Sequence, residues 1–144
     1  MRSGTEAMPL IAAFAEAARL GKEAMQDACP RMEALRSRCI ETLTAAMPDT
    51  VIIGGGAPHI LSVGIPGGRS EVFINVLEQE GIFVSNSSAC KRGRRSHVLE
   101  AMGIPPKAID GALRISFSRY TTEEDADAFC QALIRARQRY FPKR

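Results

Sequence analysis

The stretch that decides the fold is Leu113-Arg114-Ile115-Ser116-Phe117-Ser118-Arg119-Tyr120-Thr121-Thr122-Glu123-Glu124-Asp125. Its first half alternates apolar and polar side chains, the two-residue period of a strand with one buried and one open face. Its second half is a helix start. Hydroxyls at Thr121 and Thr122 precede three carboxylates, where orphan amides and the positive end of the helix dipole call for acceptors and negative charge. The helix that follows carries Ala126, Phe129, Cys130, Leu133 and Ile134 on one stripe, with Arg135, Arg137 and Arg139 in its C-terminal half. A half-buried strand leading into an amphipathic helix predicts a sheet with helices packed on one face.

Working upstream, Ser96 is a plausible cap for a short helix over residues 97–102, ended by Gly103 and kept from resuming by Pro105-Pro106. Residues 82–84 read as a short buried strand. Before it, Ser70 is expected to cap a helix carrying Val72, Phe73, Val76 and Leu77, closed by Gly81. Val51, Ile52 and Ile53, then Leu61, Val63 and Ile65, give two more strands. The glycines 54–56 between them lack the spacing of a phosphate loop and read as a bend. Toward the N-terminus, Leu10, Ile11, Phe14, Ala17 and Ala18 fall at helical spacing, as do Met32, Leu35, Cys39, Leu43 and Met47. Pro30 lies between the two series and is expected to kink or divide the helix. The order of elements predicts an α+β layer, helices covering a small, largely antiparallel sheet, preceded by a long kinked N-terminal helix.

A chain of 144 residues with 45% hydrophobic content is long enough for a packed core. Its net charge of +3 is too small to argue for general nucleic-acid or membrane affinity, and no apolar segment has the length of a membrane span. Cys29, Cys39, Cys90 and Cys130 form no C-x-x-C pair, so no metal site is expected. Reduced thiols and a cytoplasmic location fit this usage. Cys39 and Cys130 fall on apolar helix stripes, where burial is the expected role.

Cys90 stands apart. It follows Ser85-Asn-Ser-Ser-Ala, and Lys91, Arg92, Arg94 and Arg95 come directly after it. Nearby positive charge favours thiolate over thiol and makes a cysteine nucleophilic. The same thiol could equally be a small buried hydrophobe beside a solvated basic loop. Arg114 is ambiguous in the same way: exposed on the polar face of its strand, or holding a carboxylate with its rigid fork of donors.

Four segments together give a resemblance. Arg2-Ser-Gly-Thr5-Glu6, Gly81-Ile-Phe-Val-Ser-Asn-Ser-Ser-Ala-Cys90, Ser96-His-Val-Leu-Glu-Ala-Met-Gly103 and residues 113–125 resemble, in order, the C-terminal part of the cysteine desulfurases, pyridoxal-phosphate enzymes of the class V aminotransferase superfamily. The resemblance implies the small C-terminal domain of fold-type I pyridoxal-phosphate transferases. It also implies removal of sulfur from L-cysteine to give L-alanine and an enzyme persulfide, passed on to a sulfur-acceptor protein for iron–sulfur cluster assembly or thio-modification. Cys90 matches the family's nucleophile, Arg114 the arginine that pairs with the substrate carboxylate, and Thr5 a threonine that reaches the cofactor phosphate of the neighbouring subunit in a homodimer. The loop from Cys90 to Ser96 is a couple of residues shorter than in many relatives and unusually basic.

The family's cofactor lysine lies upstream of the Arg-Ser-Gly-Thr segment, and Lys22, Lys91, Lys107 and Lys143 match no such motif. The chain is therefore expected to be a C-terminal fragment with no pyridoxal phosphate of its own, and inactive alone. Residues 1–30 are expected to pack on a large domain and residues 31–144 to form the small one. A stand-alone persulfide carrier or partner-binding module without cofactor is the alternative, discriminated by the pKa of Cys90. Nucleic-acid binding through residues 91–95 lacks nearby aromatic residues and ranks last.

Overall fold

The computed structural model describes residues 4, 6–86 and 95–142. Its elements are α1 (Met8–Ala46), β1 (Val51–Ile53), β2 (Ile60–Gly64), α2 (Ser70–Gln79), β3 (Ser85–Asn86), α3 (His97–Ala101), α4 (Pro106–Asp110), β4 (Ala112–Ser116) and α5 (Glu123–Tyr140). The strands form one antiparallel sheet in the order β1-β2-β4-β3. This is the α+β arrangement that the alternation in β4 and the stripe on α5 predict.

The register sorts the side chains. Leu61 faces Ile115 and Val63 faces Leu113, so these four share one face of the sheet. That face meets Leu35, Cys39 and Leu43 of α1, Phe73 and Leu77 of α2, and Phe129, Cys130 and Leu133 of α5 in the main core. Phe73 leans on Phe141 with ring centroids 5.2 Å apart, which seats the C-terminal end of the chain. Polar links fasten the layer at its rim: Arg38 of α1 makes a bidentate pair with Asp127 of α5, and Arg135 of α5 reaches Glu80 beyond α2.

Among the described residues, the opposite face is covered at one end. Ile53 and Ala112 pack there with Leu99 and Ile109 in a second, smaller cluster under α3 and α4. A Cβ on Gly64 would come within 2.8 Å of the Ala108 carbonyl, so the missing side chain lets α4 cross directly over β2. The Pro105-Pro106 pair was expected only to stop α3. Instead Pro106 opens α4, because a proline lacks the amide that a first helical turn leaves unpaired anyway.

Three other expectations change. α1 is a single helix of 39 residues that runs through Pro30 and is not divided there. Pro30 is exposed, so water can serve the carbonyl that its missing amide forfeits. Ser70 is not the α2 cap but its first helical residue, buried, with Arg69 at the cap position. The strand expected at 82–84 is displaced to Ser85–Asn86. The Ile82 amide is spent on the Leu77 carbonyl and the Gly81 amide on Glu78, the paired bonds of a Schellman end, with Gly81 at φ 76°. Ile82 therefore still belongs to the helix terminus, and Phe83 is 79% exposed.

Among the described residues no helix is long and apolar enough to cross a membrane.

Candidate functional site

The site is built from the open part of the sheet's second face. On β4, Leu113 and Ile115 point into the main core, so Arg114 and Ser116 must point away. Arg114 is paired in register with Ser62 of β2 on one side and Ser85 of β3 on the other, so a hydroxyl side chain flanks the guanidinium's base across both neighbouring strands. α4 covers Ala112 and stops short of Arg114, which is exposed. Among the described residues no carboxylate pairs with Arg114, although six other arginines are so paired: Arg19, Arg36, Arg38, Arg95, Arg135 and Arg137. A rigid, permanently charged fork standing on a strand beside small polar neighbours is suited to gripping an incoming carboxylate.

Cys90 and Thr5, the other two expected site residues, lie outside the described residues. The segment bearing Cys90 leaves from β3, the strand beside Arg114, and its far side returns at Arg95. Arg95 is the last of the basic residues that come directly after Cys90, and its Nε and Nη2 donate to the Asp110 carboxylate at 2.7 and 2.8 Å. These bonds hold the Asp110 carboxyl below the usual aspartate range against the effect of burial, with Arg95 and Arg69 charge adding to it. Arg95 is thus paired and fastened to α4. Sequence reasoning missed Asp110 because α4 itself was missed; the signal available was the proline at a helix N1 position.

Of the described lysines, Lys22 stands on the exposed part of α1 and Lys107 on α4, and neither lies on the strand that carries Arg114. Two hollows open on the described surface, one of about 280 Å³ between Met47, Asp49, Arg137 and Phe141 and another of about 260 Å³ between Arg31, Arg38, Thr122 and Glu123, and neither of these borders Arg114. No cluster of three metal-ligating side chains occurs among the described residues.

With this geometry in view, the sequence profile of the family "Aminotransferase class-V" matches residues 1–129. The chain belongs to the class-V aminotransferase family. Among its curated relatives, "Cysteine desulfurase 2" of Trichormus variabilis is 36% identical over 137 residues, covering 92% of this chain and 34% of the relative. A "NifS/IcsS protein homolog" of Lactobacillus delbrueckii subsp. bulgaricus is 36% identical over 138 residues, with 92% and 36% covered. The class-V fold is seen again in solved structures. A "NIFS-LIKE PROTEIN" superposes with a TM-score of 0.78 at 34% identity over 93% of this chain and 34% of that one. The NifS-like protein from Rickettsia africae does so with 0.78 at 25% identity, over 94% and 36%. The chain spans about a third of the length of these relatives.

Proposed function

We propose that this chain is the sulfur-accepting, carboxylate-binding part of a cysteine desulfurase. The observation that carries the reading is Arg114, a guanidinium raised on the open sheet face with no carboxylate partner among the described residues. It grips the α-carboxylate of L-cysteine by paired charge-assisted hydrogen bonds. Cys90, on the segment leaving the neighbouring strand, accepts the sulfur. The substrate's C–S bond breaks with its electron pair left on carbon, the Cys90 thiolate forms the new S–S bond, and the carbon takes up a proton. L-Alanine and a persulfide on Cys90 result, and a sulfur-acceptor protein then takes the outer sulfur.

The described residues supply nothing to weaken that C–S bond. The pyridoxal phosphate of such enzymes is held by a lysine for which this chain has no counterpart, so we assign the cofactor to the part of the relatives' length that this chain does not match. Thr5 is assigned to the phosphate of that cofactor in a neighbouring subunit of a homodimer. The chain alone is then inactive, and its place is cytoplasmic. Residues 1–30 are assigned to packing on that further domain. Support comes from α1: Leu10, Phe14 and Met25 continue, at helical spacing, the stripe that Leu35, Cys39 and Leu43 bury further along. No side chain of α1 before Ala28 is buried.

Complementation tests the reading. The chain is mixed with the cofactor-loaded N-terminal two thirds of a NifS-like relative and given L-cysteine. Alanine should form and Cys90 gain the mass of one sulfur; Cys90→Ser should abolish that gain. Arg114→Gln should lower turnover at low substrate roughly 30- to 150-fold, the worth of about 2–3 kcal/mol of charged hydrogen bonding. Sulfur transfer that survives Cys90→Ser would overturn the assignment.

A further inference from the structure

Outside the candidate site, two thiols that the proposed function does not use face each other in the main core. Cys39 of α1 is fully buried, Cys130 of α5 nearly so, and both are free cysteines. Their side chains are hydrogen-bonded to one another. Immediately beside them the Arg38–Asp127 pair, with both bonds at 2.7 Å, fixes the register of the two helices. Small side chains at this crossing, Cys39, Ala126 and Cys130, suit a close approach of the helix backbones. A disulfide needs Cβ atoms about 4 Å apart. Thiols already in hydrogen-bond contact across a clamped crossing are a short movement from that geometry.

We propose that Cys39 and Cys130 are a latent disulfide couple which, under an oxidising small disulfide, staples α1 to α5. The chemistry is two-step exchange. One of the two, as thiolate, attacks one sulfur of the small disulfide, whose S–S bond breaks and releases the first small thiol. The other then loses its proton and attacks the protein sulfur of the mixed disulfide, releasing the second small thiol. Two protein thiols are oxidised by two electrons and one small disulfide is reduced to two thiols. A hydrogen bond from the neighbouring thiol favours whichever thiolate forms first against the effect of burial.

Because both sulfurs are buried, the first attack waits for α1 and α5 to part transiently, so the reaction is slow in buffer and faster in sub-denaturing urea. Once made, the bond closes a loop of about ninety residues and restricts the unfolded chain. It also pins the buried half of α1, whose exposed half carries the stripe assigned to domain packing.

The test uses the whole chain incubated with 2-hydroxyethyl disulfide, digested without reductant and mapped by mass. The proposal predicts a Cys39–Cys130 linked peptide lighter by two hydrogens, and a Tm raised by about 5 °C or more that falls back on adding dithiothreitol. Cys39→Ser and Cys130→Ser should each lose both signs; should either fail to fold, the wild-type map and its reversal by reductant decide. Recovery of Cys39 and Cys130 unlinked while Cys29 has reacted, a link from either to Cys29, or a linked chain with no gain in Tm would each overturn it.

Discussion

At the scale of single residues, the fate of the arginines decides the chemistry. Arg114 and Arg95 look alike in sequence, each an arginine in a polar setting, yet the sheet register leaves one open and the α4 carboxylate occupies the other. Only the alternation around Arg114 was legible, because a strand's period assigns faces without reference to distant residues. The partner of Arg95 was not, since Asp110 is fifteen positions away and meets it only once α4 forms. The pair makes a pH prediction. The folded-state pKa of Asp110 is depressed, so its contribution to stability is present above the unfolded value, near 3.9, and is lost as pH falls through the lower folded value. A carbon-detected titration should place the Asp110 midpoint below about 3.9, and Arg95→Gln should move it upward. A second residue prediction concerns Gly111. A Cβ there would sit 2.2 Å from the Ile65 carbonyl oxygen, a backbone atom that cannot swing aside. Gly111→Ala should destabilise by roughly 1–3 kcal/mol in urea unfolding, and an unchanged midpoint would mean that the α4–β4 junction is looser than described.

At the scale of elements, the capped starts of α3 and α5 were readable, whereas the starts of α2 and α4 and the continuity of α1 were not. Thr122 accepts from the Asp125 amide at 3.2 Å while Asp125 accepts from the Thr122 amide at 2.9 Å, the reciprocal box that Thr-x-x-Asp announces. Ser96 likewise caps α3. Thr122→Ala should cost about 1 kcal/mol and lower Tm by a few degrees. Pro30 misled for a physical reason. A proline's penalty is local and finite, and the long apolar stripe of α1 gains more from one continuous packing surface than the lost bond costs. Pro30→Ala should therefore raise Tm and helical circular dichroism together. The displaced β3 shows the converse: the apolar run at 82–84 has strand composition, but the Schellman bonds of α2 take the amide of Ile82 first.

At the scale of the whole molecule, the main core and the open features serve different ends. The core built from α1, α2, α5 and the sheet needs nothing further to explain its burial. The first half of α1 and the Arg114 face both present groups without partners among the described residues, Leu10 and Phe14 being 72% and 77% exposed. This is the pattern of a half-site awaiting a complementary surface. Phe14→Ser should leave the urea midpoint within about 0.5 kcal/mol of the original while weakening association with the complementing domain. A large loss of stability would show that the stripe packs within this chain instead.

The central claim is that this chain supplies thiol and guanidinium but not the cofactor-holding lysine. The most direct measurement is to mix the chain alone with pyridoxal phosphate and L-cysteine, recording the aldimine absorption and assaying alanine and sulfide. The account predicts no stable aldimine band and neither product. A stoichiometric band accompanied by alanine would contradict it.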